Sequence, residues 1–263
     1  MDVNNDNYAE KTCPACGKIS PGNFCMHCGE PLQPKRLTFW HVLKSVPEVF
    51  FHVGESSFYT IISLLKYPGK MVREYFAGNR RRHYKPINFF LFIGGLVVLL
   101  FLTFHIHGTE NSAVYTSLLK DKELGKKLDN FNDRSLTIIL LFQFPIVAFF
   151  TWLFFRKRKY YFGEHLVANA YFIGEVSLAK ILLFPAYLIF NGAATIEILD
   201  DIYAGLVVVY YVYAFYDWFY YRKTWKGFFI IFLFVVLLYF FVMMITLFLV
   251  PGLYAIKTSL FGG

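Results

Sequence analysis

Charge is scarce in this chain. Only 17% of its 263 residues are Asp, Glu, Lys or Arg, against about 25% in ordinary globular domains. A solvated globule of this length has too much surface to cover with so few charges, which argues against a wholly water-soluble fold. Catalytic signatures are lacking as well. There is no phosphate-cradling Gly-x-x-x-x-Gly-Lys loop, no Gly-x-Ser-x-Gly elbow and no His-Glu-x-x-His helix. Nothing in the connecting segments groups a nucleophile with a base, so a non-enzymatic protein is expected. Residues 1–12, MDVNNDNYAEKT, lack the apolar core of a signal peptide and read as a short disordered tail. Cysteine is confined to four positions, all between residues 13 and 28.

Apolar side chains are what the chain has in excess. They make up 57% of it, with 32 Phe and 19 Tyr. About 20 such residues in a helix cross roughly 30 Å of hydrocarbon. Five segments qualify: 87–106, 136–155, a more polar stretch at 165–190, a Tyr-rich one at 202–221, and 227–250. The expected fold class is therefore an all-α polytopic membrane protein of about five transmembrane helices, with Pro145 and Pro185 kinking the second and third.

Basic residues favour the cytoplasmic side of short loops. RRRHYK (80–85), RKRKYY (156–161) and YRKTWKG (221–227) fall on one side only if five segments cross. The loop NGAATIEILDD (191–201) has no Lys or Arg. This pattern places the amino terminus in the cytosol and the carboxyl terminus outside.

The cysteines form two Cys-x-x-Cys pairs, Cys13 with Cys16 and Cys25 with Cys28, each followed by glycine. Glycine there lets the backbone take positive φ and approach the sulfur. Four thiolates around one divalent ion, with no open position, are the pattern of structural zinc. Iron is the main metal competitor. Disulfides would need an oxidising compartment, and a redox Cys-x-x-Cys would normally sit in a βαβ unit that is absent. His27, between two ligands, is expected to be exposed. One lysine, Lys18, and one aromatic, Phe24, make a poor nucleic-acid footprint between residues 13 and 30.

Between the ribbon and the first span lie apolar segments too interrupted to cross. Residues 37–53 carry a helical stripe that includes Trp40. Residues 56–69 start at a Ser56 or Ser57 cap and stop at Pro68-Gly69, and 70–78 end at Gly78. These read as helices lying in the cytoplasmic interface. Arg80, Arg81, Arg82 and Lys85 serve there as a topogenic anchor or as a site for anionic lipid.

The order of motifs resembles a known family. CxxCG…FCxxCG is followed by Arg-Leu-Thr-Phe (36–39), by Phe-Tyr-Thr…Leu-Leu-Lys-Tyr-Pro-Gly-Lys (58–70) and by Arg-Glu-Tyr-Phe-Ala-Gly-Asn-Arg-Arg-Arg-His-Tyr-Lys-Pro (73–86). That order is similar to an uncharacterised bacterial family of multi-pass membrane proteins with an amino-terminal zinc ribbon, a domain of unknown function. The specific part of the likeness covers residues 13–95. It implies a bacterial inner-membrane location and the zinc module, and it carries no activity.

Inside the spans, Glu175 and Lys180 lie near mid-depth, where ionisable groups are functional candidates by default. At 100° per residue they point about 140° apart, poorly placed to neutralise each other. The competing expectation is that each is neutralised or paired elsewhere within the bundle and fixes its packing, with Tyr210, Tyr211, Tyr213 and Tyr216 as hydroxyl partners. Asn169 and Asp217 are further polar candidates in the third and fourth spans. His105, His107 and Glu110 at the outer end of the first are expected to be solvated polar residues of a membrane exit, with metal binding as the alternative.

The expected organisation is a tail (1–12), a zinc ribbon (13–35), interfacial helices (36–86), a transmembrane bundle (87–250) and a carboxyl-terminal tail (251–263). The expected function is docking or sensing through a cytosolic ribbon and a protein partner. A small transporter or channel using Glu175 and Lys180 is the alternative, and a membrane enzyme acting on lipid comes third. A homo-oligomer is compatible with all three.

Overall fold

A computed structural model describes residues 10–33, 55–104, 144–190, 192–220 and 224–261. The stripe at 37–53 with Trp40, and the group His105, His107 and Glu110, lie outside the described residues. The chain is mostly helical. A two-stranded antiparallel sheet, β1 (Lys11–Thr12) with β2 (Ile19–Ser20), pairs Lys11 with Ser20 and Thr12 with Ile19. Seven α-helices follow among the described residues: α1 (Glu55–Lys66), α2 (Pro68–Phe76), α3 (Pro86–Thr103), α4 (Phe144–Phe154), α5 (Phe162–Ile189), α6 (Ala193–Phe219) and α7 (Trp225–Phe261). Four of them, α3, α5, α6 and α7, are long and apolar enough to cross a membrane.

Local chemistry sets several boundaries. Proline has no amide hydrogen and a fixed φ, so it ends one helix and opens the next. Pro68 separates α1 from α2, and Pro86 opens α3 directly after the basic run. Helix α1 already includes Ser56 and Ser57, so neither is the cap their sequence context suggests. Gly78 turns the chain with φ of +111° after α2. Helix α5 starts where the Tyr161 amide donates to Glu164 Oε2 at 2.8 Å, which satisfies one of the orphan donors of a helix start.

Two helices run beyond the segments read from sequence. Helix α6 takes in Glu197, Asp200 and Asp201, which read as outer loop. Helix α7 continues past Pro251 to Phe261 into the expected tail. Helix α5, the more polar stretch, is continuous over 28 residues and passes through Pro185.

The core is aromatic. Trp218, Tyr171, Phe89, Phe172 and Phe215 are among its largest fully buried side chains. Helices α3 and α5 approach closely because Gly174 has no side chain: a Cβ there would lie 2.6 Å from the Phe89 ring. Helices α1 and α2 are more than a surface collar. They contribute Leu64, Met71, Val72 and Tyr75 to this core, and α2 docks on the end of α6. The turn Arg156–Arg158 reaches the same end, where Arg158 stacks 4.3 Å over the Tyr220 ring and Tyr160 meets Trp218 at 5.1 Å. Basic segments thus gather at one end of the bundle. At the opposite end a smaller cluster joins Phe101, Phe184, Tyr187 and Leu199.

Candidate metal centre and the polar groups of the bundle

The two cysteine pairs fold as repeats of one unit, twelve residues apart. In the first, the Cys13 amide donates to Lys18 O (2.9 Å) and the Gly17 amide to Cys13 O (2.9 Å). In the second, Cys25 donates to Glu30 O (2.8 Å) and Gly29 to Cys25 O (2.8 Å). Gly17 and Gly29 both take φ of +73°, where a β-carbon is strained. Thr12 pairs with Ile19 around the first knuckle, as Phe24 pairs with Pro31 around the second. The sequence shows this repeat only as CxxCG written twice.

Superposed hairpins of this kind bring the four sulfurs together. Cys13 Sγ and Cys28 Sγ are 3.5 Å apart, and Cys16 Sγ and Cys25 Sγ 3.6 Å. All four sulfurs lie within 4.8 Å of one another, and all four cysteines are free. Ligands about 2.3 Å from a tetrahedral ion sit about 3.8 Å from each other, so the cluster is at metal-binding distance. Cys13 and Cys25 are buried while Cys16 is exposed, so the cluster has a closed side and an open one. The Ser20 hydroxyl, 3.5 Å from Cys25 Sγ, helped by the His27 and Cys28 amides, favours the Cys25 thiolate, whereas burial and the neighbouring sulfurs push the Cys28 thiol up, as expected of four crowded sulfurs with no cation between them. His27 is exposed and outside the cluster.

The second knuckle faces the basic run. A Cβ on Gly29 would lie 3.8 Å from Arg81 Nη1. Glu30, only 9% exposed, has its carboxyl pushed up by burial and pulled back by the charges of Arg80 and Arg81. Arg80 also stacks on Tyr75 at 5.6 Å. Arg82 turns the other way, 5.1 Å over the Tyr59 ring of α1. The run is anchored beneath: the Tyr84 amide donates to Thr60 Oγ1 (2.8 Å), and the Tyr171 hydroxyl donates to Tyr84 O (2.6 Å).

The intramembrane candidates do not converge on one place. Asp217 sits at the basic end, where Oδ2 accepts the amides of Gly69 (2.8 Å) and Lys70 (3.1 Å) and Oδ1 lies 4.0 Å from Arg73 Nη2. It caps α2 onto α6. Lys180 pairs with Asp200 Oδ1 at 3.7 Å, beside the Phe101 and Tyr203 rings, and the Tyr187 hydroxyl donates to the same oxygen at 2.6 Å. Asp200 was not legible as a partner. A signal existed, since a tight turn between α5 and α6 brings a lysine near the end of one helix level with an acid near the start of the next.

Asn169 Nδ2 donates to Thr151 Oγ1 (3.0 Å) and to His165 O (2.8 Å). Thr151 spends its one proton on Ala148 O at 2.9 Å, so His165 Nδ1, 3.3 Å away, is the donor in that contact. The imidazole then carries its proton on Nδ1. Glu175 stands apart from all of these. It is 4% exposed, and its Oε2 has no hydrogen-bond partner among the described residues.

Comparison with known proteins adds a region and no activity. No curated protein and no solved structure matches the chain. Residues 58–98, which span most of α1, all of α2, the basic run and the first part of α3, match the model of a family described as protein of unknown function (DUF3667).

Proposed function

We propose that this chain is a non-enzymatic docking or sensing protein of the bacterial inner membrane, with a structural zinc ribbon on the cytosolic side. Five segments cross in this reading, the second being the apolar stretch 136–155, of which α4 is the described part. The amino terminus is cytosolic and the carboxyl terminus outside. The gathering of Arg80–Arg82 and the Arg156–Arg158 turn at one end supports that orientation.

One observation carries the reading: a four-sulfur cluster whose second knuckle faces the arginines that lead into the first long apolar helix. Cys13, Cys16, Cys25 and Cys28 would hold the zinc. When bound, the ion neutralises the thiolates and joins the two knuckles into one rigid unit. The ribbon then presents Ile19, Phe24 and Met26, 60–78% exposed, as apolar side chains for a protein partner. Affinity capture of the full-length chain from detergent-solubilised membranes tests this. Loss of the same partner from both Cys13→Ser and Phe24→Ser/Met26→Ser proteins is expected. Equal recovery from all three would count against docking through the ribbon.

A transporter or channel remains the second reading, on the unpartnered Glu175 Oε2. Lys180 contributes little to it, since Asp200 and Tyr187 already engage that lysine's end of α5. Flux in reconstituted vesicles that disappears in Glu175→Gln would favour it.

A further inference from the structure

Two arginines of the basic run are covered from within the chain. Glu30 is buried, faces Arg80 and Arg81, and accepts a hydrogen bond from the Arg80 main-chain amide. Its neighbour Gly29 comes so close that a Cβ there would lie 3.8 Å from Arg81 Nη1. The arginine side is fixed by the bundle. Arg80 Nε donates to Tyr75 O at 3.3 Å, its guanidinium lies 5.6 Å over the Tyr75 ring, and Tyr75 belongs to the bundle core. The Glu30 side is fixed by the knuckle instead. Its carbonyl accepts the Cys25 amide at 2.8 Å, directly after Gly29 at φ of +73°. The ribbon core of Cys13, Cys25 and Leu32 is separate from that of the bundle. Among the described residues the junction is thus made by charge, and it can part without uncovering either core.

We infer that Arg80 and Arg81 form a site for the phosphate of an anionic phospholipid headgroup, and that Glu30 of the ribbon occupies it as a built-in competitor. Guanidinium groups bind carboxylate and phosphate through the same charge-assisted hydrogen bonds, so the internal carboxylate stands in for the ligand. Position selects a lipid phosphate. Arg81 lies five residues before Pro86, where the first long apolar helix begins, which is headgroup level in the membrane reading. The ribbon is then a cover whose seating follows the state of its cysteines. When the second knuckle opens, Glu30 loses its fixed place and both arginines become available to lipid. This rests on the membrane and zinc-ribbon readings above and gives sensing an output, a changed hold on anionic lipid.

Thermal unfolding of the full-length chain in mild detergent tests it, because a ligand that binds only the folded state raises the midpoint. Short-chain phosphatidylglycerol, phosphatidylcholine with the same acyl chains, and inorganic phosphate are titrated separately. Preference for phosphatidylglycerol over phosphatidylcholine should rise at least about five-fold in Glu30→Gln, the factor one basic residue supplies near an anionic surface. In an Arg80→Gln/Arg81→Gln background the same Glu30→Gln change should do nothing. Chelation should raise the wild-type preference as far as Glu30→Gln does, and should add little to that variant. An unchanged preference in Glu30→Gln overturns the masked site and leaves Glu30 a structural clamp, as does a gain that survives loss of both arginines. Inorganic phosphate matching phosphatidylglycerol overturns lipid as the ligand, and a wild-type preference unmoved by chelation overturns the link to the cysteines. Two further measurements keep the levels apart. Release from membranes by alkaline carbonate refutes the membrane reading, and a purified chain without metal refutes the zinc reading. A retained, metal-loaded Glu30→Gln chain with no gain refutes only the masking.

Discussion

A β-carbon on Gly69 would sit 2.2 Å from the Trp218 backbone nitrogen and 2.3 Å from the Asp217 carbonyl carbon. Both neighbours are backbone, so nothing flexible can move aside, and Gly69→Ala must push α2 off α6. A cost of about 3 kcal/mol is expected, seen as a lower unfolding midpoint in detergent together with loss of the monodisperse species in size exclusion. His83 makes a different residue-scale prediction. It lies 4% exposed near the Tyr59 and Tyr75 rings, with neither ring nitrogen hydrogen-bonded among the described residues. Burial, helped by the charge on Arg82, lowers its pKa from 6.5 to about 4. The unfolded chain therefore takes up a proton before the folded one does. Stability is complete above pH 6.5 and is lost as pH falls through the window down to 4, by up to about 3 kcal/mol. A midpoint-versus-pH curve that keeps its slope in His83→Phe would show that another group is responsible.

At the scale of elements, two ionic contacts fix helix against helix. Lys180 and Asp200 lock α5 to α6 at the end away from the ribbon. Removing one partner strands the other in a nearly dry site, so Lys180→Met should cost about 3 kcal/mol. Asp200→Leu added to it should recover part of that loss, and a double-mutant cycle on unfolding midpoints measures the coupling. Asp217 works on α2 through the Gly69 and Lys70 amides. Asp217→Ala removes an acceptor from two helix-start donors, for an expected loss of about 1–2 kcal/mol, read as faster hydrogen exchange at 68–76 than in α5. Helix α6 is long for the same kind of reason. Its acidic start reads as loop because Asp200 and Asp201 are poor company for hydrocarbon, yet a lysine and a tyrosine hydroxyl from α5 satisfy Asp200 once the hairpin closes.

For the whole molecule, the consequential junction is ribbon to bundle. Chelation should open the ribbon, since four crowded thiolates repel without a cation. Limited proteolysis is then expected to cut within 13–33 and leave the fragment carrying α3, α5 and α6 intact. Cobalt substitution should give the absorption of a tetrathiolate site, lost in Cys25→Ser. A bundle that unfolds together with the ribbon on chelation would show that the metal stabilises more than its own hairpins.

The apolar helical character of the chain, the prolines at 68 and 86 that bound helices and the four-cysteine cluster were legible in the sequence, because hydrophobic length, a missing amide hydrogen and ligand spacing are local properties. Of the five expected spans, four are long enough to cross among the described residues. Residue pairings across the bundle were not, because Lys180 and Asp200, or Gly69 and Trp218, meet only when distant segments pack. Four polar residues grouped as alike in sequence came apart in the same way: Asp217 caps a helix, Lys180 makes an ion pair, Asn169 joins a hydroxyl network and Glu175 is left with an unpartnered oxygen. Which arginine of RRR faces the ribbon and which lies over the Tyr59 ring was likewise decided by tertiary structure alone, since adjacent identical side chains differ only in what surrounds them.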